Sequence, residues 1–399
     1  MPAENMTVAK RMIELTAAAS WIRKMFEEGM RLAAIHGREK IYDLSIGNPN
    51  VEPPEEFRRV LREVACETTP GRHGYMQNAG YTETRTAVAE YLTDDQGIEV
   101  GCDHVIMTVG AGGALNVIFR TILDPGDEVI IPRPYFVEYG NYLSNHFGVL
   151  VTADTTEDFD LDIDAIEQAI RPATRAVLIN SPNNPTGRIY PADTLAALGD
   201  LLRRKSRELG RIVYLISDEP YRRIVFDGNR VPPVLAAYEN TLIATSYSKE
   251  LSLAGERIGY VAANPAIEGI DQLVAGLILA NRVLGFINAP ALMQRVVARL
   301  QGVEVDPTLY EENRDLLYEG MVEVGYDIQK PQGTFYMFPR SPLEDDMAFC
   351  AELLERLVLV TPGAGFGYPG FFRIAYCVER RIVEGALPVL QELGAKYLR

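Results

Sequence analysis

The sequence predicts an α/β protein: a large domain built on a mostly parallel sheet, joined to a smaller α+β domain. Three observations lead to that class. The chain has 399 residues, 47% of them apolar and 24% charged, which is the composition of a globular protein long enough for more than one core. Between about 103 and 217, short apolar runs alternate with longer segments of helical spacing, the pattern of strands joined by crossover helices. Beyond about 326 the runs shorten and mix with helices, which is the texture of α+β.

Taken in order, residues 10–36 carry Met12, Leu15, Trp21, Ile22, Met25, Met30, Ala33 and Ala34 at helical spacing, so one or two amphipathic helices are expected there, packed on another surface. Residues 43–50 read as a strand running into a Gly/Asn/Pro loop. A Gly-rich exposed loop from 71 to 81 enters a helix ending near 92. Strands are expected at 104–109, 129–132, 149–152, 176–180, 212–217 and 241–245, and helices at 114–123, 135–146, 163–170 and 193–209, with residues 110–113 a loop. Helices at 266–284 and 307–324 follow, then strands at 335–338, 357–361 and 371–376. The expected division is a large domain at 46–288 and a small one formed by 1–45 and 289–399.

The totals also exclude function classes. With 39 basic against 55 acidic side chains, the net charge of −16 and the lack of a basic run disfavour nucleic-acid binding. Cys66, Cys102, Cys350 and Cys377 are far apart and form no CxxC, which fits a reducing compartment, and the four histidines form no HExxH pair, so no metal site is expected. Charged residues interrupt every apolar stretch near the N-terminus, and Asn281, Arg282 and Pro290 interrupt the run from 274 to 293. A cytoplasmic protein without signal peptide or membrane span is the expectation.

In parallel α/β sheets ligands bind beyond the carboxyl ends of the strands, and chemistry-bearing residues fall at those ends. Gly110-Ala111-Gly112-Gly113 follows a strand and opens a helix, so its amides suit a phosphate; Leu115 stands where a dinucleotide fingerprint needs a third glycine. Asn184 lies in a turn after the strand at 176–180. Asp218 closes a strongly apolar strand, where a desolvated carboxylate calls for a cation, and Arg373 sits within an apolar strand, where it calls for an anion. Lys249 follows a buried strand in company with Ser246, Ser248 and Arg257: an amine for a Schiff base, with donors for an anionic group. Taken singly, each has an ordinary alternative: a bare turn at 184–187, a helix cap at Asp218, a structural ion pair at Arg373, a solvated lysine at 249.

Together they resemble a known family. Ser181-Pro182-Asn183-Asn184-Pro185-Thr186-Gly187, Asp218-x-x-Tyr221, Ser246-x-Ser248-Lys249 with Arg257 eight residues on, and Phe372-Arg373 are similar in identity, order and spacing to the motifs of class I/II aminotransferases, pyridoxal-phosphate enzymes of fold type I. The resemblance runs from about Gly47 to Tyr376. It implies that Lys249 carries pyridoxal 5′-phosphate as a Schiff base and shuttles the Cα proton, that Asp218 pairs with the ring nitrogen, and that Tyr221 and Asn184 bond the phenolic oxygen. It further implies phosphate contacts from Ala111, Gly112, Ser246, Ser248 and Arg257, stacking by Phe136, and α-carboxylate binding by Gly47, Asn184 and Arg373. Tyr75 resembles a tyrosine lent to the other subunit's phosphate, so a homodimer is implied. The implied reaction moves an amino group from an L-amino acid to a 2-oxo acid; a C–S β-lyase or another fold type I enzyme acting at Cα or Cβ is the alternative, because these use the same residues. Aspartate-selective members carry a second arginine where this chain has Val283; the adjacent Arg282 would substitute only if the helix slips by one residue, and a structural or surface role is the expectation for it, so the amino donor stays open: aspartate, alanine-like, aromatic or broad.

Overall fold

Apolar runs of four to seven residues, nearly continuous in Val, Ile, Leu and Ala, become strands covered on both faces. In a computed structural model, which describes residues 7–17 and 21–398, they are β1 (Val105–Thr108), β2 (Glu128–Arg133), β3 (Val149–Asp154), β4 (Thr174–Asn180), β5 (Tyr214–Asp218), β6 (Thr241–Ser246) and β7 (Gly259–Ala263). They form one seven-stranded sheet in the order β1-β7-β6-β5-β4-β2-β3. Only β7 runs against its neighbours, pairing antiparallel with both β1 and β6. The expected mostly parallel sheet is therefore present.

Side-chain alternation divides the core between the two faces. Ile106, Leu178, Ile216, Leu242 and Val261 pack with Leu115, Ile118 and Phe119 of the helix Gly110–Ile122 and with Leu273 and Leu277 of the helix Ile270–Val283. Their strand neighbours Met107, Val177, Leu215, Ile243 and Ala262 face the other way, onto Val88 and Leu92 of the helix Thr82–Gln96 and Leu195, Leu198 and Leu202 of the helix Ala192–Leu209. Each such fully buried aliphatic side chain contributes about 1.5–3 kcal/mol.

A second core gathers Leu317 and Met321 of the helix Thr308–Val322, Phe349 and Leu353 of Asp346–Glu355, and Leu390 and Leu393 of Arg380–Tyr397 around a small antiparallel sheet. That sheet places Phe372–Ala375 between Thr361–Pro362 and Tyr336–Met337, while Tyr42–Asp43 pairs with Val358–Leu359. Tyr221, Ile224 and Phe226, which follow β5, join this core too, so the two bodies meet beyond the end of that strand.

Several details differ from the sequence expectations. Residues 110–113, expected as a loop, form the first turn of the helix Gly110–Ile122: Gly110 takes φ 79°, a left-handed value that glycine adopts without penalty, and so turns the chain directly from β1 into the helix. The apolar run at 357–361 is two separate short strands, and a helix at Glu55–Ala65 was not anticipated. Near the N-terminus the helices are Lys10–Ala17 and Trp21–His36, but Met12 and Met30 are exposed; Leu32 instead carries the buried contact, with Ile41 and Leu359. The side chains of Trp21, Ile22 and Met25 lie outside the described residues. Among the described residues no helix is long and apolar enough to cross a membrane, and no group of three or more His, Cys, Asp or Glu is placed to hold a metal ion.

Candidate active site

Parallel strands bring their carboxyl ends to one edge of the sheet, and there a cavity of about 320 Å³ opens toward the small antiparallel sheet. It collects Gly47, Ala111, Gly112, Phe136, Asn184, Asp218, Tyr221, Ser246, Ser248, Lys249, Arg257 and Arg373. Tyr75 alone among the expected site residues lies outside it, 92% exposed. Arg282 and Val283 end the helix Ile270–Val283, exposed and outside the cavity as well.

One side of the cavity is an anion cradle. The helix Gly110–Ile122 begins with no side-chain cap, which leaves its first amides and the positive end of its dipole facing the cavity. Arg257, held at φ 53°, brings its guanidinium beside that turn, with Nη1 donating to Ala254 O at 3.0 Å and Nη2 to Val109 O at 3.5 Å. A Cβ on Gly110 would lie 2.8 Å from Arg257 Nη2, so a side chain there would displace the arginine. Ser246 closes β6 and Ser248 follows, both buried.

At the floor, Asp218 ends β5 paired with Asn180 at the end of β4, whose Nδ2 donates to Asp218 O at 2.8 Å. Tyr139 donates to Asp218 Oδ2 at 2.6 Å, whereas the buried Asp218 Oδ1 has no donor among the described residues. Burial, reinforced by neighbouring Glu219 and opposed by the Tyr139 hydrogen bond, pushes the carboxyl from 3.8 up to about 7. Across from it Lys249 donates through Nζ to Gly47 O at 2.9 Å, and burial lowers its amine to about 8, with Arg373 and Arg257 acting in the same direction.

Arg373 closes the far side, fully buried. Its Nη1 donates to Asn184 Oδ1 at 3.1 Å and its Nη2 to Ser45 O at 2.6 Å, while Nε has no acceptor. Among the described residues no anionic side chain partners it: its acceptors are an amide and a carbonyl, both neutral. Asn184 is itself set by its backbone N–H, which donates to Asn180 Oδ1 at 2.7 Å.

The cavity thus holds a buried carboxylate that lacks a cation, a buried guanidinium that lacks an anion, a partly neutral amine, and an uncapped helix start beside a second guanidinium. Buried groups of this kind are costly unless a ligand completes them. The sequence motifs, the orphaned atoms and the fold now coincide with a match to the family model for aminotransferase class I and II over residues 39–388. The chain belongs to that family. Similar proteins include the aspartate/prephenate aminotransferase of Thermus thermophilus, 33% identical over 86% of this chain and 88% of the relative, and the aspartate aminotransferase of Geobacillus stearothermophilus, 33% identical over 96% and 97%. Among solved structures, an amino transferase from Eubacterium rectale has a TM-score of 0.95 at 42% identity, covering 99% of this chain and all of that one. The aspartate aminotransferase of Thermus thermophilus with maleate has a TM-score of 0.85 at 29% identity, covering 97% of this chain and all of that one. The chain is therefore an aminotransferase, and these relatives favour that activity over the C–S β-lyase alternative.

Class I/II aminotransferases use pyridoxal 5′-phosphate, and the cavity fits it. Asp218 Oδ1 lacks a donor, which a protonated ring nitrogen would provide, and the uncapped helix start with Arg257 would suit a phosphate. Sequence reasoning missed Tyr139, Tyr142 and Tyr336, which also line the cavity. Tyr139 and Tyr142 follow Phe136 at helical spacing and Tyr336 stands in an apolar run, so a periodicity reading assigns all three to the core.

Proposed function

We propose that the cavity would hold pyridoxal phosphate between Asp218 and the helix start at Gly110, with Lys249 the amine presented to its aldehyde and the group that would move the Cα proton of the amino acid. The observation that carries this reading is the unpaired Oδ1 of Asp218, a buried acceptor on a residue that lines the same cavity as Lys249. When bound, the cofactor supplies an aldehyde for an amine and a ring that takes up the electron pair left at Cα.

Asp218 keeps a proton on the ring nitrogen, with Tyr139 fixing its other oxygen. Burial brings the Lys249 amine down to about 8, closer to neutral pH than an exposed lysine, which suits a group that must accept a proton and return it. Ala111 and Gly112 amides, Ser246, Ser248 and Arg257 would hold the phosphate, and Phe136 would pack against the ring. Tyr221 and Asn184 serve the phenolic oxygen. The unspent N–H groups of Arg373, with Asn184 and Gly47, bind the α-carboxylate as a planar fork.

The functional unit in this reading is a cytoplasmic homodimer. Tyr75 stands free of its own cavity, and the partner subunit's Tyr75 completes the phosphate site; Leu279 and Val283 are exposed apolar surface for the same association. Four free cysteines accord with a reducing cytoplasm. We divide the chain into a large domain at 46–288 and a small one at 1–45 plus 289–399, noting that Met293, Val296, Val297 and Leu300 pack with the large sheet's core.

Aspartate heads the donors to test because relatives bear its name. Among the described residues, Lys249, Arg257 and Arg373 are the cations lining the cavity, so the partner subunit's Arg282 is our candidate for a distal carboxylate. The test is a panel of aspartate, alanine and aromatic donors against 2-oxoglutarate and pyruvate, with purified protein and pyridoxal phosphate. Stoichiometric formation of the new amino acid is expected, and its absence with every donor refutes the reading.

A further inference from the structure

Tyr336 stands where three of the proposed functional groups meet. It begins the strand Tyr336–Met337, pairs with Ala375 two residues beyond Arg373, and is almost fully buried at the cavity wall. The Arg373 guanidinium carbon lies 4.3 Å from the centroid of its ring and 4.8 Å from that of Phe366, so the cation has an aromatic ring close to it on two sides. Those contacts restrain the fork from turning, while Asn184 Oδ1 and Ser45 O restrain it at two of its nitrogens.

The hydroxyl of Tyr336 lies 3.2 Å from that of Tyr221, and the two rings meet edge to face at 5.7 Å. Burial raises both phenols, so each stays neutral and either can donate to the other. The same hydroxyl abuts Gly47, whose carbonyl accepts from Lys249 Nζ: a Cβ on Gly47 would fall 1.7 Å from Tyr336 Oη, so the two residues share space only because position 47 has no side chain. Among the described residues, the charged and titratable groups around the hydroxyl are Tyr221, Arg373, the Cys377 thiol and, across Gly47, Lys249, with Asp218 acting on Tyr221 from β5.

We propose that Tyr336 is a positioning residue whose ring face sets Arg373 for the α-carboxylate of the amino acid and whose hydroxyl governs the proton of Tyr221. This rests on the roles proposed above for Arg373 and Tyr221. Ring and hydroxyl act on different groups, and two variants separate them.

Tyr336→Phe keeps the aromatic face and removes the hydroxyl; Tyr336→Leu removes both. Five quantities are measured: the pyridoxal phosphate dissociation constant of the cofactor-free protein, the pH midpoint of the visible absorption after loading, the inhibition constant of succinate, and KM and kcat for the best donor. Tyr336→Phe is expected to leave succinate inhibition and KM within about threefold and to move the pH midpoint by about half a unit or more. Tyr336→Leu is expected to raise KM and the inhibition constant about tenfold, with kcat falling less, and to leave the cofactor dissociation constant within about threefold. An unmoved midpoint in Tyr336→Phe, or unchanged carboxylate binding in Tyr336→Leu, overturns the proposal while leaving the cofactor reading intact. If Tyr336→Leu does not fold, the midpoint in Tyr336→Phe decides. Failure of the unaltered protein to develop visible absorption with pyridoxal phosphate overturns the cofactor reading and this proposal with it.

Discussion

Replacing Asp218 by Asn removes the buried charge that would pair with a protonated ring while nearly keeping the shape of the side chain. In the cofactor-free protein, Tyr139 donates to Oδ2 and nothing donates to Oδ1, and the carboxyl is pushed from 3.8 to about 7, mainly by burial. Between about pH 4 and pH 7 the folded state therefore holds a proton that the unfolded chain has released. By linkage, this stabilisation is fully present below the unfolded value and is lost as pH rises through the folded one. The displacement from 3.8 to about 7 corresponds to on the order of 4 kcal/mol. With an unfolding entropy of about 2.1 cal/mol/K per residue over 399 residues, that is about 5 °C in melting midpoint. Asparagine does not titrate, so the melting midpoint of Asp218→Asn minus that of the unaltered protein should rise by about 5 °C from pH 4 to pH 7.5, both without cofactor. Other carboxylates largely cancel in the difference. Saturating pyridoxal phosphate at pH 7.5 should then stabilise the unaltered protein more than the variant, because only a carboxylate gains a counter-ion from the ring. Differential melting curves across the pH series, with and without cofactor, make the measurement. A difference that stays flat with pH refutes the argument from burial, and equal stabilisation by the cofactor refutes the pairing with Asp218.

Two further outcomes follow from the same site. Lys249→Ala should abolish transamination while leaving the far-ultraviolet circular dichroism unchanged, since its amine makes one hydrogen bond, to Gly47 O, and otherwise lies 5.3 Å and 5.9 Å from the ring centroids of Phe335 and Tyr221; near-normal turnover would exclude Lys249 from the chemistry. Arg373→Lys should raise KM for the amino acid by about tenfold or more, because an ammonium cannot reproduce a planar two-pronged fork. Saturation at unchanged donor concentration would count against carboxylate binding at this position.

Much of the site was legible because its residues sit at places that local sequence defines. Asp218 and Ser246 close strands whose apolar runs are plain in the chain, and Gly110 follows a third. Once those runs are aligned in a parallel sheet, their carboxyl ends must share an edge. Chain direction then brings Asn184 and Lys249 to the same edge within a few residues of β4 and β6. Arg373 was legible for another reason: a cation within an apolar strand signals a requirement for a partner wherever that strand lies.

The sequence by itself determined the α/β class, the alternation that builds the large sheet, and the chemical identity of the groups at its edge. Only the tertiary structure decided which of those groups lack partners. Tyr139 takes one oxygen of Asp218 from 79 residues away and leaves the other bare, and Tyr336 meets Tyr221 across 115 residues. The same folding leaves Tyr75 on the surface, away from its own cavity. Hydrophobic periodicity is a local property that reports whether a side chain turns inward. It carries no record of which distant side chain it will meet there, because that is set by how two separately patterned elements pack.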